Sequence, residues 1–419
     1  MAKKAATFES INPATGEVVG VFPICSKSDV DDAVARAHSA KQRWSDLGFR
    51  GRYLALRDWA SLLTREIDLA ANLIHRETGK PLSDATLEVA LAIEHISWAG
   101  KYAPRVLSRQ NRPSGLLMFN LSSQVQRVPF GVVGVIGPWN YPIFTPIGSI
   151  AYALAAGNSV VFKPSEYTPA IGAWLGETWK RIAPFDDIFT VVTGLPETGV
   201  ALTSSDVDKI SFTGSTRTAK KVAASCAEKM IPVVLECGGK DPVLVDQDAN
   251  IEKAAEITLW HAMSNAGQSC IGAERVYVHE RVSAEFESAI VRMAAQLKAG
   301  FGDGSHYGPA TMPSQLKVIQ SHIDDAIKRG GTCIFGGKKA IHDGYVEPVI
   351  FKNVPEDSLA VTEETFGPTL VINTVRNMDE AVDRANATSY GLGAAVWSRK
   401  NGKKIASLLR CGMVSINAA

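Results

Sequence analysis

The chain has 419 residues, and its 44 Lys and Arg balance 43 Asp and Glu to a formal net charge of +1. This length predicts two or three compact domains, and a composition of 46% hydrophobic and 21% charged residues excludes a disordered or fibrous protein. The balanced charge argues against nucleic acid as a partner, because proteins that bind it usually carry a surplus of Lys and Arg on one face.

The cysteines and the first residues bear on the compartment. Six cysteines are scattered along the chain without a CxxC pair, so a disulfide scaffold is not expected, and the histidines show no metal-ligand spacing. The start, MAKKAATFES, lacks the apolar segment of a secretory signal. We therefore predict a reduced protein in the cytoplasm without a bound metal.

The N-terminal part has helical patterns. Ser28 followed by Asp31 and apolar residues at helical spacing predicts a capped helix, and the Leu-rich segment 53–63 predicts another. From about Leu116 the sequence LLMFNLSSQVQRV has a β-rich composition. The stretch 128–162 has no charged residue, but four prolines and five glycines interrupt it, so we predict no membrane span.

Apolar strands then alternate with helical segments. The strands are GVVGVIG, SVVFKP, KISFTGS and PVVLECGG, and this order predicts a doubly wound α/β sheet. After about residue 240 the alternation restarts with PVLV, RVYVH, TCIFGG and TLVINTV, and helices are predicted over 251–263 and 283–298. The pattern indicates a second α/β domain of similar size.

Three segments contain candidates for chemistry. Cys270 follows small and polar residues in NAGQSC, where a thiolate is exposed to react; alternatively it is a small buried apolar residue. Glu236 ends an apolar strand before two glycines, as a desolvated general base or as a surface residue in a turn. Asn140, between prolines after GVVGVIG, is an amide donor to an oxyanion or a turn former.

Six motifs together resemble those of the aldehyde dehydrogenase superfamily. They are GPWNYP, KPSE, FTGST, LECGGK, NAGQSC and EETFGP, in the family's order and spacing, and the similarity runs from INPATG (11–16) to Ile416–Asn417. The resemblance implies the fold class: an α/β protein with a Rossmann-type dinucleotide-binding domain, an α/β catalytic domain and a small β oligomerisation element. The implied bounds are 1–110 and 130–238 for NAD binding, 111–129 for a bridging β-hairpin, and 239–419 for catalysis.

The resemblance also implies roles for single residues. Cys270 would attack the aldehyde carbon, Asn140 would form the oxyanion hole with the Cys270 backbone N–H, and Glu236 would activate water to hydrolyse the thioester. NAD, with NADP as the alternative, is implied as the cofactor. Its contacts would come from seven residues: Trp139, Lys163, Glu166, Gly214, Ser215, Glu364 and Phe366.

Some of these cofactor contacts have a physical reason of their own. Ser215 stands where a strand joins a helix, a place that suits a phosphate, although the usual GxGxxG is absent. Glu166 would favour NAD, because a carboxylate at the ribose 2′-hydroxyl repels a 2′-phosphate. Without the family resemblance, the sequence would indicate that Glu363 and Glu364 are a solvated pair and that Phe366 is a core aromatic residue.

The end of the chain leaves alternatives open. Relatives usually continue beyond the position of Ala419 with a Gly-rich segment and an intersubunit strand, so we expect that the C-terminal tail is missing, and a homodimer or homotetramer if that strand is present. An aldehyde-oxidising enzyme is the favoured function. The alternatives are a cysteine-dependent acyl hydrolase or transferase and a catalytically silent protein that binds NAD.

Overall fold

The computed structural model describes residues 6–182 and 185–418 and divides the chain into two compact units. The first unit comprises Met1–Asn12, Glu17–Glu77 and Leu82–Glu236, and the second comprises Pro13–Gly16, Thr78–Pro81 and Cys237–Ala419. The first five residues, which entered the prediction about a secretory signal, and Ala419 lie outside the described residues.

The first unit contains a parallel sheet surrounded by helices. Its strands are β1 (Thr7–Ile11), β2 (Val18–Pro23), β3 (Gln110–Arg112), β4 (Ser123–Val125), β5 (Val132–Ile136), β6 (Ser159–Lys163), β7 (Phe189–Val191), β8 (Lys209–Thr213) and β9 (Val233–Glu236). Its helices are α1 (Lys27–Asp46), α2 (Gly48–Arg65), α3 (Ile67–Thr78), α4 (Leu82–Leu107), α5 (Phe144–Ala155), α6 (Pro169–Lys180), α7 (Pro196–Ser204) and α8 (Thr216–Ala227).

Five of these strands form one sheet in the order β7-β6-β5-β8-β9, with every neighbouring pair parallel. The four strands predicted from their apolar runs are thereby confirmed. Beside the sheet, Trp44, Trp59 and Trp179 form a buried aromatic cluster with edge-to-face contacts. The uncharged stretch 128–162 forms β5, α5 and β6, and none of the described helices is both long and apolar enough for a membrane crossing.

One local prediction in this unit was wrong, and a second was confirmed only in part. The cap of α1 is Ser26, whose Oγ accepts the N–H of Asp29, and not Ser28. The sequence contains two overlapping S-x-x-D patterns, and the first forms a reciprocal capping box in which the Asp29 carboxylate also accepts the N–H of Ser26. The segment from Leu116 is also less regular than its composition indicated, because Leu116–Met118 is a 3₁₀ turn and only Ser123–Val125 pairs, antiparallel to β3.

The second unit has a larger sheet. Its strands are β10 (Asp241–Val245), β11 (Ala273–His279), β12 (Thr332–Phe335), β13 (Ile341–His342), β14 (Tyr345–Val346), β15 (Val349–Lys352), β16 (Thr369–Val375), β17 (Gly393–Trp397) and β18 (Met413–Ile416). Its helices are α9 (Ile251–Met263), α10 (Ser283–Ala294), α11 (Gln315–Lys328), α12 (Leu359–Thr362), α13 (Met378–Asn386) and α14 (Gly402–Ala406). The helix predicted over 283–298 therefore ends four residues early, at Ala294.

Seven strands pair in the order β12-β15-β16-β11-β10-β17-β18, and only β12 and β15 run antiparallel. Strands β16, β11 and β10 are adjacent and parallel at the centre. Every residue of β10 and β11 is buried, as expected for a parallel strand covered on both faces. The segments that enter these three strands consequently meet at one edge of the sheet, at the amino ends.

Candidate active site

The first unit's predicted site residues gather at the carboxyl edge of its sheet. Strands β6, β5, β8 and β9 are neighbours and parallel, so the residues at their carboxyl ends share an edge. From β6 to β9 these residues are Lys163, Asn140, Gly214, Ser215 and Glu236. Asn140 is buried, with 5% of its surface exposed, and Trp139 before it is half-buried.

Lys163 and Glu166 form a pair that suits a ribose. The Lys163 Nζ lies 3.4 Å from a carboxylate oxygen of Glu166. Burial lowers the pKa of Lys163, and the charge of Glu166 opposes this shift. A buried amine beside a half-buried carboxylate offers one donor and one acceptor to neighbouring hydroxyls, so the residues present fit the adenosine ribose of a dinucleotide.

Ser215 is the N-cap of α8. Its Oγ accepts the N–H of Thr218 at 3.3 Å, and the residue is exposed at the start of a 12-residue helix, where the helix dipole favours a phosphate. The Gly214 N–H donates to the carbonyl of Glu236 and joins the ends of β8 and β9. Glu236 itself is exposed, so the desolvation expected for a general base is not found at this position.

The second unit's candidates lie at the amino edge of its sheet instead. Cys270 precedes β11, Gly238 and Gly239 precede β10, and the EETFGP segment precedes β16. Because these strands are adjacent, the three segments are brought together. The rule that ligands bind at the carboxyl ends of parallel strands did not predict that these three segments lie together. The order of the strands in the sheet cannot be read from the sequence.

Strained backbone leads into Cys270. After α9, Asn265 (φ +53°) and Ala266 (φ +56°) both adopt the left-handed conformation, which is unfavourable for residues with a Cβ. The buried Gln268 holds this turn: its Nε2 donates to the carbonyl of Asn265 at 2.9 Å, and its Oε1 accepts the N–H of Thr311 at 2.9 Å. Two residues of the NAGQSC motif thus fix the approach to the cysteine.

Two glycines let the three segments approach closely. A Cβ on Gly267 would lie 2.2 Å from the carbonyl carbon of Gly367, and one on Gly238 would lie 2.1 Å from the carboxylate of Glu364. Either distance is far below van der Waals contact. A side chain at position 267 would therefore have to displace backbone, whereas at position 238 the Glu364 carboxylate occupies the space that a side chain would fill.

Glu364 and Phe366 are placed by this packing. Glu364 is half-buried and its Oε1 accepts the N–H of Gly239 at 3.2 Å, while Phe366 is held at φ +51°. Burial raises the pKa of Glu364 to about 8, and the charge of Glu274 adds to the shift. The plain-sequence interpretation as a solvated pair is right for Glu363, which is exposed, and wrong for Glu364.

The thiol of Cys270 is half-buried and free. Burial, together with the negative charges of Glu364 and Asp241, raises the pKa of this thiol to about 11. Below that pH most of the population is therefore the thiol, and the reactive thiolate is a small fraction.

Alkylation of Cys270 by iodoacetamide should accordingly rise about tenfold per pH unit from pH 8 to 10 without a plateau, because the rate follows the thiolate fraction. Glu364→Gln should lower the thiol pKa and increase the rate at pH 9. Glu363→Gln, an exposed neighbour, is the control and should have no effect. Mass spectrometry of the peptide that contains Cys270 separates its rate from those of the other cysteines. A plateau of the alkylation rate below pH 9 in the unmodified protein would contradict the raised pKa of the Cys270 thiol.

A buried polar network that the sequence did not predict lies behind these segments. Lys240 forms an ion pair with Glu274, and only 1% and 6% of their side chains are exposed. The available signal was the charged residue at the start of β11, since a buried strand that contains a carboxylate requires a partner for it. Among residues 6–182 and 185–418, no cluster of three or more potential metal ligands is present.

The comparisons with known proteins agree with the motifs. The model of the aldehyde dehydrogenase family matches residues 1–419. The chain is 36% identical to the chloroplastic betaine aldehyde dehydrogenase of Amaranthus hypochondriacus, over 98% of this chain and 84% of that protein. It is 32% identical to D-glyceraldehyde dehydrogenase (NADP(+)) of Picrophilus torridus, over 94% of this chain and 80% of that protein.

Solved structures show the same fold. The structure of the NAD+ complex of aldehyde dehydrogenase from Bacillus cereus matches with a TM-score of 0.94 and 32% identity, over 99% of this chain and 85% of that chain. The fold, the enzyme class and the cofactor that the motifs implied are thereby confirmed. The chain belongs to the aldehyde dehydrogenase family, whose members oxidise aldehydes with NAD or NADP.

Proposed function

We propose that Cys270 is the nucleophile of this aldehyde oxidation. Its thiolate adds to the aldehyde carbon and forms a thiohemiacetal, while the Asn140 amide and the Cys270 backbone N–H donate to the oxyanion. The observation that carries this assignment is the strained, glycine-packed segment that presents a half-buried free thiol beside Glu364.

The cofactor assignment follows the donors described above. Lys163 and Glu166 hold the adenosine ribose, Ser215 and the adjoining Gly214 receive the pyrophosphate, and Trp139 lies beside Asn140. Glu364 binds the nicotinamide ribose and Phe366 packs beside the nicotinamide. A bound NAD would supply the hydride acceptor, and loss of the hydride from the thiohemiacetal would leave an acyl thioester on Cys270. Glu166 favours NAD over NADP by charge repulsion of a 2′-phosphate.

Glu236 is the proposed general base for the second half of the reaction. It removes a proton from the water that attacks the thioester, the bond from the acyl carbon to the Cys270 sulfur breaks, and the acid is released from the regenerated cysteine. Its position at the end of β9, exposed, leaves it free to reorient toward water.

Glu236→Gln should slow thioester hydrolysis by roughly 10²- to 10⁴-fold, the usual contribution of a general base. The first turnover should be much less affected, because the base is not needed for nucleophilic addition. Stopped-flow absorbance should then show a burst of NADH close to one per active site, followed by a slow steady state. Glu228→Gln, an exposed residue after α8, is the control. Loss of the burst together with the steady state would contradict this division of steps.

The overall reaction is tested by NADH formation from a panel of aliphatic, aromatic and semialdehyde substrates. Betaine aldehyde and D-glyceraldehyde belong in this panel, because relatives are named for them. Turnover with any of them supports the proposed oxidation and ranks the substrates. NAD binding without turnover would favour a silent binding protein, and ester cleavage alone would favour an acyl hydrolase.

Domain roles and assembly belong to the same proposal. Residues 1–110 and 130–238 would bind NAD, and 239–419 would carry catalysis. Residues 111–129 would join subunits of a homodimer or homotetramer, if the C-terminal strand is present. Within this segment Leu116, Leu117 and Phe119 are 85–94% exposed, an apolar surface suited to burial in an assembly. Sedimentation velocity measures the oligomeric state, and a monomer at micromolar concentration would overturn the proposed assembly. The cytoplasm stays our prediction for the compartment, although one relative is named as chloroplastic.

A further inference from the structure

The buried ion pair of Lys240 and Glu274 connects the three segments at the amino edge of the second sheet. Lys240 lies between Gly239 and β10, and Glu274 lies four residues after Cys270, in β11. Both side chains are almost fully buried. A buried pair is costly to desolvate, so further hydrogen bonds to the carboxylate are needed for it to persist.

Glu274 finds those hydrogen bonds in the backbone of the EETFGP segment. Its two carboxylate oxygens accept the N–H of Thr365 at 3.0 and 2.9 Å, and its Oε1 accepts the N–H of Phe366 at 3.1 Å. These two amides directly follow Glu364 in the chain. The carboxylate therefore holds the backbone on which both Glu364 and Phe366 stand.

Thr365 is fixed through its other polar atoms as well. Its Oγ1 accepts from the Lys240 Nζ at 3.3 Å and lies 3.0 Å from the Nδ1 of His322, and its carbonyl accepts from the Gln315 Nε2 at 2.7 Å. Burial, with the positive charge of Lys240, lowers the pKa of His322 to about 4, so this ring is neutral. Every polar atom of Thr365 has a partner, which leaves the residue little freedom to move.

We propose that Glu274 is a positioning residue for the nicotinamide half of the cofactor. It acts through the backbone of Thr365 and Phe366 and sets where the Glu364 carboxylate and the Phe366 ring lie relative to Cys270. The inference rests on the assignment of Glu364 and Phe366 to the nicotinamide half under the proposed function. It adds a residue that touches neither substrate nor cofactor.

A comparison of NAD with ADP separates positioning from general stability. ADP contains only the adenosine and phosphate part of NAD, whose contacts are assigned to Lys163, Glu166 and Ser215 in the first unit. Loosening the segment 363–368 should therefore weaken NAD and leave ADP unchanged. An enzyme that has lost structure overall would bind both ligands less tightly.

The experiment is calorimetric titration of the full chain with NAD and with ADP for Glu274→Gln. We expect the Kd for NAD to rise about tenfold, a loss of ~1.4 kcal/mol, and the Kd for ADP to stay within about twofold of the unmodified sequence. Equal weakening of both ligands, or no weakening of either, would overturn the proposal. Because binding is measured without turnover, the result does not depend on the role of Cys270.

Two further variants keep the test decisive. Glu274→Asp retains the charge opposite Lys240, so it should fold even if Glu274→Gln does not, and its shorter carboxylate should still weaken NAD selectively. Glu356→Gln is the matched control, because Glu356 accepts hydrogen bonds from Tyr277, Asn373 and Arg384 in the same unit, and these described partners all lie outside the segment 363–368. If the unmodified protein bound NAD no more tightly than ADP, the assignment of Glu364 and Phe366 to the nicotinamide half would itself be refuted.

Discussion

Cys270→Ala is expected to lower kcat by at least roughly 10⁴-fold, because removal of a nucleophile that forms a covalent intermediate eliminates the pathway rather than slowing one step. The Kd for NAD should stay within about twofold of the unmodified sequence, since the side chain of the cysteine is not among the residues assigned to the cofactor. NADH absorbance at saturating aldehyde measures the first quantity, and calorimetric titration measures the second.

The control for this variant is Cys333→Ala. Cys333 is also a half-buried free cysteine of the second unit, but it lies in β12, at the far edge of the seven-stranded sheet from β10 and β11. Its replacement should leave kcat unchanged. Should the Cys270→Ala protein still oxidise aldehydes at the rate of the unmodified sequence, the nucleophile must be sought elsewhere.

Lys240→Met is expected to have the largest effect on stability, a loss of about 3–5 kcal/mol. The substitution leaves the Glu274 carboxylate buried without its cation, and an uncompensated buried charge costs more than the pair itself contributes. Guanidinium chloride unfolding followed by circular dichroism measures the change. A transition specific to the second unit should move to lower denaturant concentration.

Two control variants test whether the loss of stability comes from the buried charge. Lys27→Met breaks the exposed pair with Asp31 and should change stability by less than about 1 kcal/mol, because water already solvates both charges. Lys240→Met combined with Glu274→Leu should recover only part of the loss, since the amides of Thr365 and Phe366 are then left without an acceptor. Full recovery would show that these amides do not depend on Glu274.

The positions of the strands could be predicted from the sequence, but the order of the strands within each sheet could not. Apolar runs such as GVVGVIG and RVYVH identify buried strands by composition alone, and the structure has strands at those places. The order β16-β11-β10 depends on long-range packing, so the meeting of the segments before them had to come from the structure. Glu364 and Phe366 became candidates only through family resemblance, whereas Cys270 was already a candidate from the small and polar residues before it.

Residues that support the site were the hardest to predict. Glu274 and Lys240 look like ordinary charged residues at strand starts, and their partners are 34 and 91 or more residues away in sequence. Gln268 within NAGQSC likewise acts through a contact with Thr311 that no local pattern indicates. Local patterns report helix faces and strand burial, whereas a long-range hydrogen bond leaves no periodic trace.

The close approach at Gly238 and Gly267 sets a boundary for engineering the substrate range of this enzyme. A larger residue at position 267 must displace the backbone at Gly367, and one at position 238 must push aside the Glu364 carboxylate, so substitution at 267 should disturb the fold and substitution at 238 should move a proposed cofactor contact. A directed-evolution experiment should therefore keep Gly238 and Gly267 unchanged.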